Sequence, residues 1–374
     1  MDVSGFQKIT IRGNALARGR AHGEALRDKV DEHYTRWLDA IAADLEIDPL
    51  AYIERFLAET DFLPAIDRWA PDLLDEVRGI AEAANQPFNI AFARQLSDEE
   101  PWFRRDWKLA PPSHSGCTSL ATWQYGGTTY LAQNMDMPHW CDGLQCLLHI
   151  KDEATSLETF QFTLAGKISL AGMNSAGLGM CCNTLSQLEP SKTGLPEDFV
   201  VRGFLRQATL TDGMSFLSSI VHASGQNYTV GEPGSPALNL ECSANSIASF
   251  TPAAPPDCVY HSNHALVNKD QAAYKKQSAG MSEGEKERYF YGTSYPRFGS
   301  LEKQLALSPN GVDMDDIKVI LASHEGPICR HGDTASKNDN FTLGCLIMEL
   351  GSAPTFYVAP GPPCQTPFLT YRFT

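Results

Sequence analysis

Pro111-Pro112-Ser113-His114-Ser115-Gly116-Cys117-Thr118-Ser119 leads directly into Leu120-Ala121-Thr122-Trp123, so a Pro/Ser/Gly-rich turn meets an alternating apolar stretch with a cysteine at the junction. A Gly126-Gly127 turn follows, then Tyr130-Leu131-Ala132-Gln133-Asn134-Met135-Asp136. Before this point the apolar period is helical. Ala15 to Leu45 reads as one long amphipathic helix carrying Leu26, Val30, Tyr34, Leu38 and Ile41, and Pro71-Asp72 opens another. After it the period drops to two, with strands expected over 128–135, 145–151, 158–165, 167–171 and 178–184.

Farther along, two helices are expected between Glu197 and Ala223, split by Thr211-Asp212-Gly213. Strands return at 227–230, 237–243, 247–250 and 258–262. The polar stretch 267–292 reads as a surface segment. Helices follow at 295–307 and 312–323, then strands at 341–350 and 354–358. Runs of strands and helices without strict alternation indicate a layered α+β fold.

The junction cysteine has a chemical reading. A thiol beside a glycine carbonyl can attack it, shifting the acyl group from nitrogen to sulfur, and a strained glycine turn favours this. Hydrolysis would leave residues 1–116 as a separate, mostly helical piece and 117–374 beginning at Cys117. The new α-amine, with a pKa near ~8, then serves as the base for its own thiol. The competing reading of Cys117 is a packed core thiol.

Composition narrows the class. The chain has 374 residues, 43% of them hydrophobic, and a formal charge of −15. No cationic surplus exists for nucleic-acid binding, and no apolar run is long enough for a membrane span. The N-terminus lacks a signal-peptide pattern, so a cytoplasmic enzyme of small molecules is expected. Ten cysteines occur with no Cys-x-x-Cys and no zinc-ligand spacing, which predicts reduced thiols and no metal site. No cofactor motif is visible.

Six motifs in order resemble the acyl-coenzyme A:6-aminopenicillanic acid acyltransferase family of self-cleaving N-terminal nucleophile hydrolases. They are Arg18-Gly19-Arg20-Ala21-His22-Gly23, Gly116-Cys117-Thr118, Gln133-Asn134-Met135-Asp136, Asn174-Ser175-Ala176-Gly177, His261-Ser262-Asn263-His264 and Ser294-Tyr295-Pro296-Arg297. The resemblance implies a four-layer αββα sandwich of two antiparallel sheets between helices. It also implies self-cleavage between Gly116 and Cys117, giving a heterodimer of the two pieces that can assemble further.

Residue roles follow from the resemblance. Cys117 is the nucleophile and Asn263 donates to the oxyanion of the tetrahedral intermediate. Asp136 orients the α-amine or binds a substrate amine, or is a turn aspartate. Arg297 pairs with a substrate carboxylate or forms a surface ion pair. Asn174, Ser294 and Trp123 complete the expected substrate site, and Trp102, Phe103 and Trp107 are candidates for an acyl pocket. Ser115, where penicillin-processing relatives carry an acid, and Pro296, where they carry a hydroxyl, argue against a β-lactam substrate.

The expected activity is hydrolysis of an N-acyl amine, acyl amino acid or small peptide-like amide. Acyl transfer, with or without coenzyme A, is the alternative. A non-cleaving thiol hydrolase pairing Cys117 with His264 is another, and a non-enzymatic binding protein that keeps this fold is a third.

Overall fold

The computed structural model describes residues 3, 5–109, 116–123, 127–252, 257–308, 311–332 and 339–373. The turn expected over 111–115, with His114 and Ser115, lies outside them. The chain opens with β1 (Gln7–Gly13), followed by α1 (Ala15–Ala25), α2 (Arg27–Leu45), α3 (Pro49–Ala58) and α4 (Leu63–Trp69). Next come α5 (Pro71–Ala84), α6 (Phe88–Arg94) and α7 (Glu100–Asp106). The strand section comprises β2 (Gly116–Trp123), β3 (Thr129–Pro138), β4 (Gln145–Asp152), β5 (Glu158–Leu164), β6 (Ala171–Asn174) and β7 (Gly179–Thr184). Helices α8 (Glu197–Phe204) and α9 (Leu210–Ser219) precede β8 (Gln226–Gly231), β9 (Leu238–Cys242), β10 (Ile247–Phe250) and β11 (Cys258–His261). The last third holds α10 (Ala272–Gln277), α11 (Glu283–Lys286), a π-helical turn (Glu287–Tyr291), α12 (Ser294–Leu305) and α13 (Met314–Leu321). It ends on β12 (Asn340–Leu350), β13 (Thr355–Ala359) and β14 (Leu369–Arg372).

Two sheets form, ordered β1-β4-β5-β6-β7-β8-β9-β10 and β11-β2-β3-β12-β13-β14. All named pairings are antiparallel except β1 with β4, so the first sheet is mixed rather than purely antiparallel. Alternation along the strands sorts side chains into layers. Cys146, Leu148 and Ile150 of β4 pack with α2, α5 and α8, whereas Leu147 points to the second sheet. The second sheet sends Ala121, Leu131 and Leu346 inward, and Leu120, Ala132 and Ile347 outward onto Leu301 of α12 and Ile317 of α13. These packed faces make the expected αββα sandwich.

A bulge in β12 between Thr342 and Gly344 shifts the register. Phe341 and Leu343 face inward before it, and Leu346 and Met348 after it, because one extra residue reverses the alternation.

The expected helix over 15–45 is instead two, broken at Leu26. Its first half packs on α5 with backbones almost touching: a Cβ on Gly19 would sit 1.9 Å from the Glu76 carbonyl oxygen, and one on Gly79 2.4 Å from that of Leu16. Arg18 is buried beside this contact, donating to Glu76 at 2.9 Å and to Asp152 at 2.8 Å. Burial opposes charge on Glu76, but Arg202 and then Arg18 prevail and bring its carboxyl down to about 2. Burial lowers His22 to about 4, leaving a neutral ring whose Nε2 accepts from the Gly166 amide at 3.0 Å. The Arg-Gly-x-x-His-Gly motif therefore builds a helix–helix junction.

Other expectations shift. The break before α9 falls at 205–209, since the Thr209 hydroxyl caps α9 and Thr211-Asp212-Gly213 lies inside it. The strand expected over 167–171 forms at Ala171–Asn174. The edge strands β1 and β14 were not expected: their apolar alternation spans only Ile9 and Ile11 in one and Leu369 and Tyr371 in the other, too short a run to mark a strand. No helix among the described residues is long and apolar enough to cross a membrane.

Candidate active site

Three strands and one helix converge on Cys117. β2 pairs with β3 so that Gly116 faces Asp136 and Cys117 faces Met135. On the other side β11 pairs His261 with Ser119. Continuing that register by two residues puts Asn263 beside Cys117, and the Asn263 Oδ1 accepts from the Cys117 backbone nitrogen at 2.7 Å. Arg297, in the first turn of α12, donates Nη2 to the same Oδ1 at 2.7 Å. Its Nη1 donates to the Cys117 carbonyl and, at 2.9 Å, to Thr118 Oγ1.

The Asn263 amide orientation is thus set by its partners, with Oδ1 facing two donors and Nδ2 donating to the Thr184 carbonyl at 3.1 Å. One Nδ2 hydrogen remains, at a residue that lines the cleft over Cys117.

Asp136 is fully buried. Its Oδ1 accepts from Thr342 Oγ1 at 2.8 Å, while Oδ2 has no hydrogen-bond partner and lies 3.9 Å from Arg330 Nη1. Burial raises its pKa, with Arg330 and Arg297 opposing the rise. The missing side chain of Gly116 makes room here. A Cβ at Gly116 would lie 3.1 Å from Asp136 Oδ2, 3.3 Å from Arg297 and 3.4 Å from Arg330. Gly116 is the first residue of β2, and its missing side chain is what permits this close approach.

Burial pushes the Cys117 thiol up to about 12, with Asp136 adding to the rise and Arg297 opposing it. A neutral thiol of this kind needs a base. His264 does not supply one. Its Nδ1 is engaged with Ser294 Oγ at 2.7 Å, its ring stacks on Tyr295 at 3.9 Å, and burial lowers its pKa to about 3. Among the described residues no histidine lines the cleft.

The cleft holds about 1210 Å³ of empty space, part of it open to solvent. Its walls mix Trp37, Trp140, Phe290 and Tyr291 with charged groups. Arg94 stands 5.4 Å from the Trp37 ring and 5.5 Å from that of Trp140, with Nε donating to His33 at 2.8 Å. Asp98 and Glu197 face the cleft too, and neither carboxylate oxygen of buried Glu197 has a hydrogen-bond partner. Phe290 and Tyr291 come from the segment expected to be only surface, which folds a π-helical turn against the cleft.

Several expected site residues lie elsewhere. Trp123 ends β2, ~20 Å along the strand from Cys117. Trp102 donates to the Leu188 carbonyl, and Phe103 packs on Phe56 and Trp107, so none of the three aromatics lines the cleft. Asn174 is spent on backbone, donating to Leu205 and Gln207 and accepting from Ala176 and Leu178. Ser294 is buried, its Oγ accepting from the Asn263 backbone N–H at 2.6 Å. Arg297 is not a surface residue; it is buried and holds Cys117 and Asn263 together. Gln133 bonds Cys182 across the sheets, and Asn134 ties the Leu321 and Ile328 carbonyls to β3. Trp37, Arg94 and Glu197 were missed because each is a single residue on a helix with no local motif.

Residues 123–350 match the family model of the acyl-coenzyme A:6-aminopenicillanic acid acyl-transferases. Among solved structures, a mutant conjugated bile acid hydrolase from Clostridium perfringens aligns with a TM-score of 0.44 and 12% identity, covering 69% of this chain and 97% of that one. Penicillin V acylase from Agrobacterium tumefaciens aligns at 0.41 and 9%, covering 69% and 86%. No curated protein matches. The family match spans more than half of the chain, so this protein belongs to the acyl-coenzyme A:6-aminopenicillanic acid acyl-transferase family.

Proposed function

We propose that the chain cuts itself between Gly116 and Cys117 and then hydrolyses a small amide, an N-acyl amine, acyl amino acid or peptide-like amide, through a Cys117 thioester. The observation that carries this reading is the 2.7 Å bond from the Cys117 backbone nitrogen to Asn263 Oδ1 at the edge of the cleft. An acceptor fixed there holds the amide before cleavage and would hold an α-amine after it.

In the first step the Cys117 sulfur attacks the Gly116 carbonyl carbon and the Gly116–Cys117 C–N bond breaks, leaving a thioester and a free α-amine. Water then hydrolyses the thioester to a Gly116 carboxylate and the free thiol. The guanidiniums of Arg297 and Arg330 beside Gly116 favour the negative charge that develops. In turnover the α-amine takes the thiol proton as sulfur attacks the substrate amide. The remaining Asn263 Nδ2 hydrogen faces the oxyanion, and the ammonium returns its proton to the departing amine. Water resolves the acyl-enzyme. Asp136, with an unpartnered oxygen next to Gly116, stabilises the ammonium.

Both pieces furnish the cleft. Trp37, Arg94 and Asp98 precede the cut and Trp140, Glu197 and Asn263 follow it, so the fragments must stay together as a heterodimer. Among the described residues the cleft wall sets Arg94 and Arg104 among more numerous acidic side chains and offers no dedicated basic cluster for the phosphates of coenzyme A, which supports hydrolysis over coenzyme A-dependent transfer.

Denaturing electrophoresis with N-terminal sequencing tests the proposal. Two bands are expected, the larger starting Cys-Thr-Ser-Leu, and Cys117→Ala should give one inactive intact chain. An intact wild-type chain with full amidase activity would sink the self-cleavage claim.

A further inference from the structure

Away from the cleft, four side chains gather in a way that the sequence spacing had not foreshadowed. His324, Cys329, His331 and Cys364 bring their ligand atoms within 4.8 Å of one another. The His324 and His331 Nε2 atoms are 3.2 Å apart, and Cys364 Sγ is 3.2 Å from His331 Nε2. None of the four lines the Cys117 cleft.

Bond lengths explain the arrangement. A tetrahedral zinc ion holds sulfur at ~2.3 Å and nitrogen at ~2.0–2.1 Å, which spaces its ligand atoms roughly 3.3–3.8 Å apart. The His324–His331 and His331–Cys364 separations match that cage within a few tenths of an ångström, and the remaining pairs lie within 4.8 Å. Two thiols and two imidazoles are the donor set of a closed structural zinc site, with no position left for water or substrate. Two imidazole nitrogens and a thiol directed at one point are poor partners for each other, since a neutral ring offers only one N–H.

We propose that His324, Cys329, His331 and Cys364 bind one zinc-class divalent cation that clamps the 324–331 segment to the turn after β13. The surrounding bonds suit that role. The His331 carbonyl is 2.8 Å from His139 Nε2, and the Cys329 amide donates to the Ser323 carbonyl at 2.8 Å. Gln365 reaches His331 Nδ1 at 3.5 Å, where its amide oxygen, once turned inward, would accept the Nδ1 hydrogen of a metal-bound ring. Arg330 sits between two of the ligands, and its backbone exchanges hydrogen bonds with Thr342, whose hydroxyl also reaches Asp136. The clamp thus holds the segment that presents Arg330 to Asp136.

The test is metal analysis of the full chain purified under reducing conditions, followed by cobalt(II) titration of the metal-stripped protein. One zinc per chain is expected, and cobalt should give tetrahedral visible bands with thiolate charge transfer. Cys364→Ser and His324→Ala should each weaken binding by more than about 100-fold, since loss of outer supporting groups alone costs 10–100-fold. Added zinc should raise the melting temperature of stripped wild type and leave both variants unmoved. Failure of reduced wild type to take up zinc or cobalt overturns the proposal. So does retention of wild-type affinity by both variants, or a metal-free Cys329–Cys364 disulfide in the freshly purified chain. His324→Ala keeps both thiols, which separates metal binding from disulfide formation. None of these readouts depends on self-cleavage or amidase activity.

Discussion

Asn263 Oδ1 accepts from the Cys117 backbone nitrogen at 2.7 Å across a sequence separation of 146 residues, and Arg297 Nη2 donates to the same oxygen. One side-chain oxygen thereby joins the nucleophile, the strand end after β11 and the first turn of α12. Removing it breaks the geometry without emptying the core. Asn263→Ala should slow both self-cleavage and amide turnover by on the order of 100-fold, the usual loss when such a polar group is deleted. Band intensities over time and kcat/KM report the two steps separately. Unchanged rates for both would refute its role.

Gly116→Ala separates processing from turnover. Its methyl group would press on Asp136 Oδ2 at 3.1 Å and on both guanidiniums. Slower cleavage is expected, while the fraction that does cut should have wild-type kcat, because every residue from Cys117 onward is unchanged. The comparison needs a time course and active-site titration.

The pH profile identifies the base. With burial holding the Cys117 thiol near 12, an enzyme relying on the thiol's own ionisation would gain activity far into the alkaline range. An α-amine base instead predicts that kcat/KM rises through an inflection near ~8 and then levels. Iodoacetamide inactivation should follow the same curve. An inflection near ~6.5 would point to an imidazole and contradict the assignment.

Buried carboxyls give a stability signature. Burial raises Glu197 well above its ordinary range, and Glu99 to about 8 with Asp98 adding to the rise. A raised carboxyl contributes fully below its unfolded pKa, near ~4.3, and the contribution is lost as pH climbs through the folded value. Wild type should therefore lose melting temperature between pH 5 and 8. Glu197→Gln, permanently neutral, should lose less and melt higher than wild type at pH 8. Equal slopes in a thermal-shift series would count against it.

Gly19→Ala tests the helix junction. With the Glu76 carbonyl oxygen 1.9 Å from the new Cβ, α1 and α5 must separate, and an overpacking cost of about 3 kcal/mol or more is expected. Urea unfolding measures it. A loss under about 0.5 kcal/mol would show that the helices slide apart freely, the level of an ordinary surface substitution.

The change from helical to alternating period at Cys117 was enough, from the sequence alone, to place the layered fold and most strand positions, because periodicity is a local property of the chain. Local chemistry likewise singled out Gly116-Cys117, and the family resemblance of the motifs added Asp136 and Asn263. Tertiary structure alone decided what each does. The β11–β2 register makes Asn263 an acceptor for Cys117, and Arg297 turns inward because α12 lies against that strand end. Trp123 and Asn174 leave the site since strand length carries one away and backbone hydrogen bonds consume the other. Trp37, Arg94, Glu197 and the His324–Cys329–His331–Cys364 cluster had no local signature, as their partners are distant in sequence and meet only when the sheets and helices stack.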